Sequence, residues 1–500
     1  MVFLYTFAIT CNVILIDMKK FPDWVLAHKR KGVELREIRG RYYVYEVYSK
    51  WDKKLKRPKK ITGNYLGTIT QANGFVPKQT QQVKVKEEER QKPKLYVKES
   101  GVSNFIHNNL SHYIELLQKH FPTMWQSILA LSYGRFTESS PMKNMKFHYE
   151  HSFISELYPD AKISKNSISK LLVNIGRDRG SIVNFFKEFN REDDKIIFDG
   201  TDLISNSRNM DYPKLSKTKK GCFDFAINTM FVFSVKSQLP IYYRILPGNI
   251  KDVKAFKLSL LESNITNALI VLDKGFYSDA NIDKLSVEGL GFLISLRRTS
   301  TLIDYTSFEI AAKDALDGFF KYEGKIIWHQ TIETEKGMVH TFLNDELKAE
   351  ESKDYLNRIE THPEKYSIEG FHKNVKKFGT LSVLSNTDND AKKIYEFYKN
   401  RNQVELMIDA FKNLISADSS YMQNDFSLEA WMFINYIALH WYYMLLNKLK
   451  EAKLNNKFSP MDLIKFLKEV KKVRLNGEWF NAEITAKNLE IINKLNILIT

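Results

Sequence analysis

Three acidic residues at wide spacing, Asp199, Asp273 and Glu405, stand where this 500-residue chain could do chemistry. Asp199 closes the run Lys195-Ile-Ile-Phe-Asp199, and Asp273 closes Ala268-Leu-Ile-Val-Leu-Asp273. Each run reads as a short apolar strand ending in a carboxylate. In open α/β sheets ligands gather at the carboxyl ends of strands, so two neighbouring strands of this kind would aim both acids at one place. Two close carboxylates repel unless a cation holds them. Mg²⁺ is the natural cation, because hard ions take oxygen ligands, with Mn²⁺ as a substitute. For either aspartate alone, a turn residue following a strand is the plain alternative.

A third element is more specific. Tyr398, Arg401, Glu405 and Lys412 follow one another at offsets of 3, 4 and 7, which are helical repeats and place all four on one face. The helix is read from about Asp390 to Asn413, with Phe397, Leu406, Ile408 and Phe411 as its packing surface. Such a stripe is often only the wet side of a helix. This one mixes one acid with two cations and a tyrosine, which suits one metal ligand flanked by phosphate contacts.

The elements that must position these residues follow from pattern. From 195 onward the order reads β-β-β-α-β-α-β: Lys195 to Asp199, Cys222 to Val235, Leu239 to Leu246, a helix from Asp252, Ala268 to Asp273, a helix from Ala280, and Phe292 to Leu296. Three antiparallel strands followed by α/β crossovers give a mixed sheet with helices on its faces. Ile326 to Ile332 and Met338 to Leu343 flank a polar turn and read as a hairpin carrying Trp328. Residues 33–70 are β-rich and include a basic turn holding Lys53, Lys54, Lys56 and Arg57; residues 77–99 read as a linker, 102–190 as helices, and 427–500 as helices again. The expected organisation is a basic β-rich region with linker (1–100), a helical DNA-binding region (101–190), the first part of a catalytic core (191–300), a β-rich insertion (301–375), the second part of the core (376–425) and a C-terminal helical region (426–500).

Tyr398-x2-Arg401-x3-Glu405-x6-Lys412 resembles the tyrosine–arginine–glutamate–lysine signature of bacterial insertion-sequence DDE transposases of the insertion-sequence-four superfamily. Asp199 in Phe-Asp-Gly-Thr201 is similar to that family's first aspartate, and Asp273 in Val-Leu-Asp-Lys-Gly-Phe-Tyr-Ser278 to its second. Pro247-Gly-Asn-Ile-Lys-Asp-Val253 is similar to a family segment between them. Lys274 departs from the arginine often found there but keeps the charge. Asp202 is the alternative first ligand; Asp199 is preferred because its strand ends there.

The resemblance implies a ribonuclease-H-like α/β core with a β-rich insertion between the second aspartate and the glutamate, an N-terminal DNA-binding region and C-terminal helices. It implies two Mg²⁺ ions, Asp199 bridging them and Asp273 and Glu405 each holding one, and DNA cleavage followed by strand transfer at the element ends. Arg401, Lys412 and Tyr398 would contact phosphates, and Trp328 could stack on an unpaired base or serve as the core of its hairpin. The partners implied are the double-stranded element ends and target DNA, engaged by a dimer on DNA. A nuclease that cuts without joining, or an inactive DNA-binding remnant, would share much of this sequence.

Composition agrees with a polyanionic partner. The net charge is +16, and residues 1–100 carry 22 Lys+Arg against 10 Asp+Glu, a basic arm suited to phosphate. Two cysteines, Cys11 and Cys222, exclude a disulfide scaffold and a four-cysteine zinc site; Cys222 is expected to be a small buried hydrophobe. The first seventeen residues are apolar but lack a basic leader region, and translation from Met18 would remove them. Ala430 to Leu446 is short for a membrane span and reads as a buried helix. The expected location is the bacterial cytoplasm, associated with the nucleoid.

Overall fold

The computed structural model describes residues 21–52, 56–78, 95–205, 207, 209–218, 221–250, 252–309 and 313–499. The apolar start with Met18, the turn residues Lys53 and Lys54, and linker residues 79–94 lie outside the described residues. The chain divides into two units, Met1–Leu95 and Tyr96–Thr500.

In the first unit, β1 (Val33–Ile38), β2 (Arg41–Asp52), β3 (Arg57–Thr70) and β4 (Gly74–Pro77) form an antiparallel sheet in that order. The alternation of Arg41-Tyr-Tyr-Val-Tyr is the cause: Val44 turns inward onto Val25 and Ile69, with Trp24, Tyr42 and Phe75 around them. The β2–β3 hairpin carries Trp51 opposite Pro58 and Asp52 opposite Arg57. Trp51 is exposed, and so are Lys56 and Arg57 at the same end. Gly67 permits the close approach of β4, because a Cβ there would stand 2.2 Å from the Val76 carbonyl oxygen.

In the second unit a ten-stranded mixed sheet dominates the described residues. Its centre is β6 (Asp194–Ile204), β8 (Phe223–Ser234), β9 (Leu239–Pro247), β10 (Ala268–Leu272) and β11 (Gly291–Ser295). β6 pairs antiparallel with β8, and β8 with β9; β10 pairs parallel with β6 and with β11. The resulting spatial order, β9-β8-β6-β10-β11, is the ribonuclease-H-like arrangement. The parallel neighbours require crossovers. Asp252–Ser263 supplies one, and Asp279–Val287, capped by Ser278 accepting from the Asn281 N–H, supplies the other. Covered on both faces, β6, and β8 from Ala226 onward, are buried almost without alternation.

Several expectations need correction. β6 does not end at Asp199; it continues to Ile204 because residues 199–204 keep pairing with β8 after β10 has stopped. β7 (Lys214–Lys217) pairs with the start of β8 and was not foreseen. Cys222 is exposed, not buried, since it precedes β8 at the end that extends beyond the core, where Phe223 and Phe225 are exposed as well. The hairpin expected within 301–375 is β13 (Lys325–Thr334) and β14 (Gly337–Asn344), preceded by β12 (Gly318–Tyr322). These strands continue the central sheet, because β14 pairs with β15 (Thr380–Ser385) and β15 with β11. The same segment also holds a long helix, Asp345–Thr361, capped by Asn344. Its charged sequence buries no residue, so apolar pattern gave no sign of it.

The single helix expected from Asp390 to Asn413 is three pieces: Ala391–Lys399, Asn402–Asp409, and a π-helical turn at Ala410–Leu414. At the first break the N–H groups of Arg401, Gln403 and Val404 bond three residues back, a local tightening around two asparagines that favour helices weakly. At the second, the Ile415 N–H bonds five residues back to Ala410.

Behind the sheet, Asp425–Glu451 is buried on all sides over most of its length, with Trp441 and Tyr436 among the largest enclosed side chains. Among the described residues no helix is long and apolar enough to cross a membrane. One hydrophobic core joins the 101–187 helices, the sheet and this helix. The C-terminal segment adds a hairpin, Lys471–Leu475 with Glu478–Asn481, that the helical pattern did not announce.

Candidate active site

Sheet register brings the two aspartates together. In the parallel pair, Val271 lies opposite Ile197 and Ile270 opposite Ile196. Two residues on from Val271 and Ile197 stand Asp273 and Asp199, which the same register makes level on adjacent strands and, by the two-residue alternation, aims at one face. β11 extends the row: Ile294 lies opposite Leu272, and the next residue, Ser295, donates its hydroxyl to Asp273 Oδ1 at 3.2 Å. The backbone fixes both acids further. The Gly200 N–H donates to Asp199 Oδ1 at 2.9 Å, and the Lys274 N–H to Asp273 Oδ1 at 2.8 Å.

The broken helix supplies the opposite wall. Asp390 caps its start by accepting from the Lys393 N–H. Tyr398, largely buried, is hydrogen-bonded to Ser295. Arg401 reaches between the acids, its Nη1 lying 3.5 Å from Asp273 Oδ2 while Nη2 donates to Glu405 Oε1. Exposure rises across the site: Asp199 is 8% exposed, the Asp273 side chain 30% and the Glu405 side chain 46%.

The electrostatics converge on Arg401. Burial alone would lower its pKa, yet Tyr398, Asp273, Glu405 and Asp199 together hold it above its ordinary value. All three acids therefore act on one cationic position. Burial, with Asp273 and Glu405 adding to it, pushes the Tyr398 hydroxyl up, so it remains a hydrogen-bond donor at neutral pH. Among the described residues no three acids or histidines close on a single point as ligands of one ion; the Arg401 guanidinium lies between Asp273 and Glu405.

Two clefts meet at Tyr398 and Arg401. One, of about 660 Å³, is lined by Asp273, Lys274, Arg297 and Arg298 beside the strand ends. The other, of about 470 Å³, lies between the helix and the insertion, lined by Tyr322, Lys325, Lys399 and Glu405. Lys412 falls in the π-helical turn and is half-buried. Trp328 is half-buried on β13, its ring 5.2 Å from that of Phe319 and 5.0 Å from Lys313 Nζ. The structure thus brings Asp199, Asp273, Tyr398, Arg401 and Glu405 together. Lys56 and Arg57 belong to the other unit.

Ser295, Arg297 and Arg298 were missed from sequence. Ser295 is level with Asp273 only through the register of β10 with β11, which no local pattern states.

Residues 190–441, half of the chain, match the family model described as the transposase DDE domain. No curated protein matches the chain. Among solved structures it is similar to the cryo-EM structure of the piggyBac transposase synaptic complex with hairpin DNA, at 10% identity, covering 69% of this chain and 70% of that chain with a TM-score of 0.39.

Proposed function

Since the chain belongs to the transposase DDE domain family, we propose that it cuts and rejoins DNA at the ends of a bacterial insertion sequence of the insertion-sequence-four superfamily. The observation that carries this reading is the convergence of Asp199, Asp273 and Glu405 on the Arg401 guanidinium, within the matched residues. The donor chemistry fits Mg²⁺, or Mn²⁺ in its place: three carboxylates, two of them set by backbone N–H groups, already favour a cation between them. Asp199, Asp273 and Glu405 would hold such ions. Once bound, the ions would stabilise charge on the entering and leaving oxygens of an in-line displacement at phosphorus.

The chain's own residues do the rest. Arg401 exchanges its hold on Asp273 and Glu405 for a phosphate, where its planar fork suits two oxygens. The Tyr398 hydroxyl donates to a phosphate beside the cut, and Lys412 contacts the flanking strand. Lys274, Arg297 and Arg298 give the adjoining cleft a positive wall for the backbone. Trp328 stacks on an unpaired base near the cut. Hydrolysis frees a 3′-hydroxyl at the element end, which attacks a target phosphorus, forming a new ester as the target's own 3′-oxygen leaves with a proton. Lys56 and Arg57, at the same hairpin end as exposed Trp51, grip the element end together with Lys53 and Lys54, and two chains pair two ends as a dimer in the nucleoid.

The test uses purified protein and a labelled duplex carrying the repeats that flank its gene. Cleavage at the repeat ends with Mg²⁺, absent with EDTA and absent in Glu405→Ala, is the expected result. Wild-type cleavage by Glu405→Ala overturns the assignment, and specific binding without cleavage in any metal overturns the enzymatic reading.

A further inference from the structure

Pro247-Gly-Asn-Ile-Lys-Asp-Val253 continues from the strand Leu239–Pro247 in sequence. Its acid, Asp252, opens the helix Asp252–Ser263. Two glycines locate its carboxylate. A Cβ at Gly200, the residue after Asp199, would stand 3.6 Å from Asp252 Oδ1; a Cβ at Gly275, two residues after Asp273, would stand 3.3 Å from Asp252 Oδ2. One oxygen faces the backbone beside the first catalytic aspartate and the other faces the backbone beside the second. The Gly275 distance is tight for a Cβ, so the missing side chain there leaves Oδ2 its room, while the Gly200 distance is an ordinary contact.

Residues before and after Asp252 are tied to neighbouring elements. Asn228 on β8, itself buried and 3.6 Å from the same Gly200 Cβ position, donates its Nδ2 to the Ile250 carbonyl oxygen at 2.9 Å. Farther along the helix, Glu262 is paired with Arg179 at 2.7 Å. Asp252 therefore cannot drift with the turn that precedes it, and its charge is fixed beside the two strand-borne acids.

We propose that Asp252 is a fourth acid of this site, a positioning residue that accepts hydrogen bonds from the hydration shell of a divalent cation held by Asp199 and Asp273. This rests on the metal-dependent reading above. Mg²⁺ keeps several of its waters when bound, and outer carboxylates that orient an ion's ligands set its affinity.

The experiment measures Mn²⁺ binding to the full chain without DNA, by electron paramagnetic resonance, in wild type, Asp199→Asn, Asp273→Asn, Asp252→Asn and Gly275→Ala. Asp252→Asn keeps the shape and loses the charge. The expected result is Mn²⁺ affinity weakened by about 10- to 100-fold, with cleavage shifted to higher metal concentration. Gly275→Ala, which presses on Oδ2, should weaken Mn²⁺ by a smaller factor. Wild-type affinity in Asp252→Asn, alongside weak binding in Asp199→Asn and Asp273→Asn, overturns the role of Asp252 and leaves the site standing. Wild-type affinity in all of them overturns the site as well. Should circular dichroism show Asp252→Asn unfolded, Gly275→Ala decides: unchanged affinity there overturns the proposal.

Discussion

The two walls of the site are built by different means. On the strand side, Asp199, Asp273 and Ser295 are placed by hydrogen-bonded register across β6, β10 and β11. On the helix side, Tyr398, Arg401 and Glu405 ride on short pieces joined by a tight turn and followed by a π-helical one. The strand acids are the less exposed, and both accept backbone N–H groups; Glu405 is the more exposed and pairs with the Arg401 side chain. Strand register permits little displacement without breaking a ladder, whereas a helix already tightened at one end and widened at the other can shift its side chains by small changes of pitch. The strand wall fixes the two aspartates, and the helix wall is the one whose pitch can adjust.

That contrast can be broken by changing side-chain length on each wall. Asp199→Glu and Asp273→Glu should each lower end cleavage by about 1000-fold, equivalent to ~4 kcal/mol, because the backbone cannot retreat by a methylene. Glu405→Asp should cost only about 10- to 100-fold, since the helix can follow; equal losses on the two walls would show that neither adjusts. Arg401→Lys keeps the charge but not the fork, and about a tenfold loss in single-turnover cleavage is expected, with wild-type rate meaning that the fork holds no phosphate. Ser295→Ala removes one hydrogen bond to Asp273, worth ~1 kcal/mol or about fivefold in rate. The smallest effect is expected from two glycines inserted in the turn between β7 and β8, which should leave cleavage within about twofold because loop length adds little to closure entropy; a large loss would tie that hairpin to the chemistry.

Much of this wall structure was legible before any coordinates. The runs ending in Asp199 and Asp273 are short and apolar, so their strand type followed from pattern, whereas their adjacency entered only as a condition and comes from the register of β6 with β10. The offsets among Tyr398, Arg401 and Glu405 survive the break in the helix because the tightening spans only one turn. What was not legible depends on pairing at a distance. Nothing local says that β6 continues past Asp199, since that continuation is held by β8. The charged helix Asp345–Thr361 buries nothing and so has no apolar stripe to find. Cys222 looked like a core residue because its apolar neighbours Phe223 and Phe225 suggested burial, yet they lie where the strand outruns its cover. Asp252 stood in a quoted segment, but its closeness to Gly200 and Gly275 exists only once three separate stretches are folded together.

The interval of residues between Asp199 and Asp273 carries no meaning of its own. The two acids are level because Val271 faces Ile197, and that pairing is indifferent to how much chain loops out between the strands. Turns in this interval are free to gain or lose residues over generations while the acids stay matched. A single residue gained inside β10 before Asp273 would leave the composition nearly unchanged and turn that carboxylate to the opposite face of the sheet. The inherited quantity is a phase, and lengths are free to vary around it.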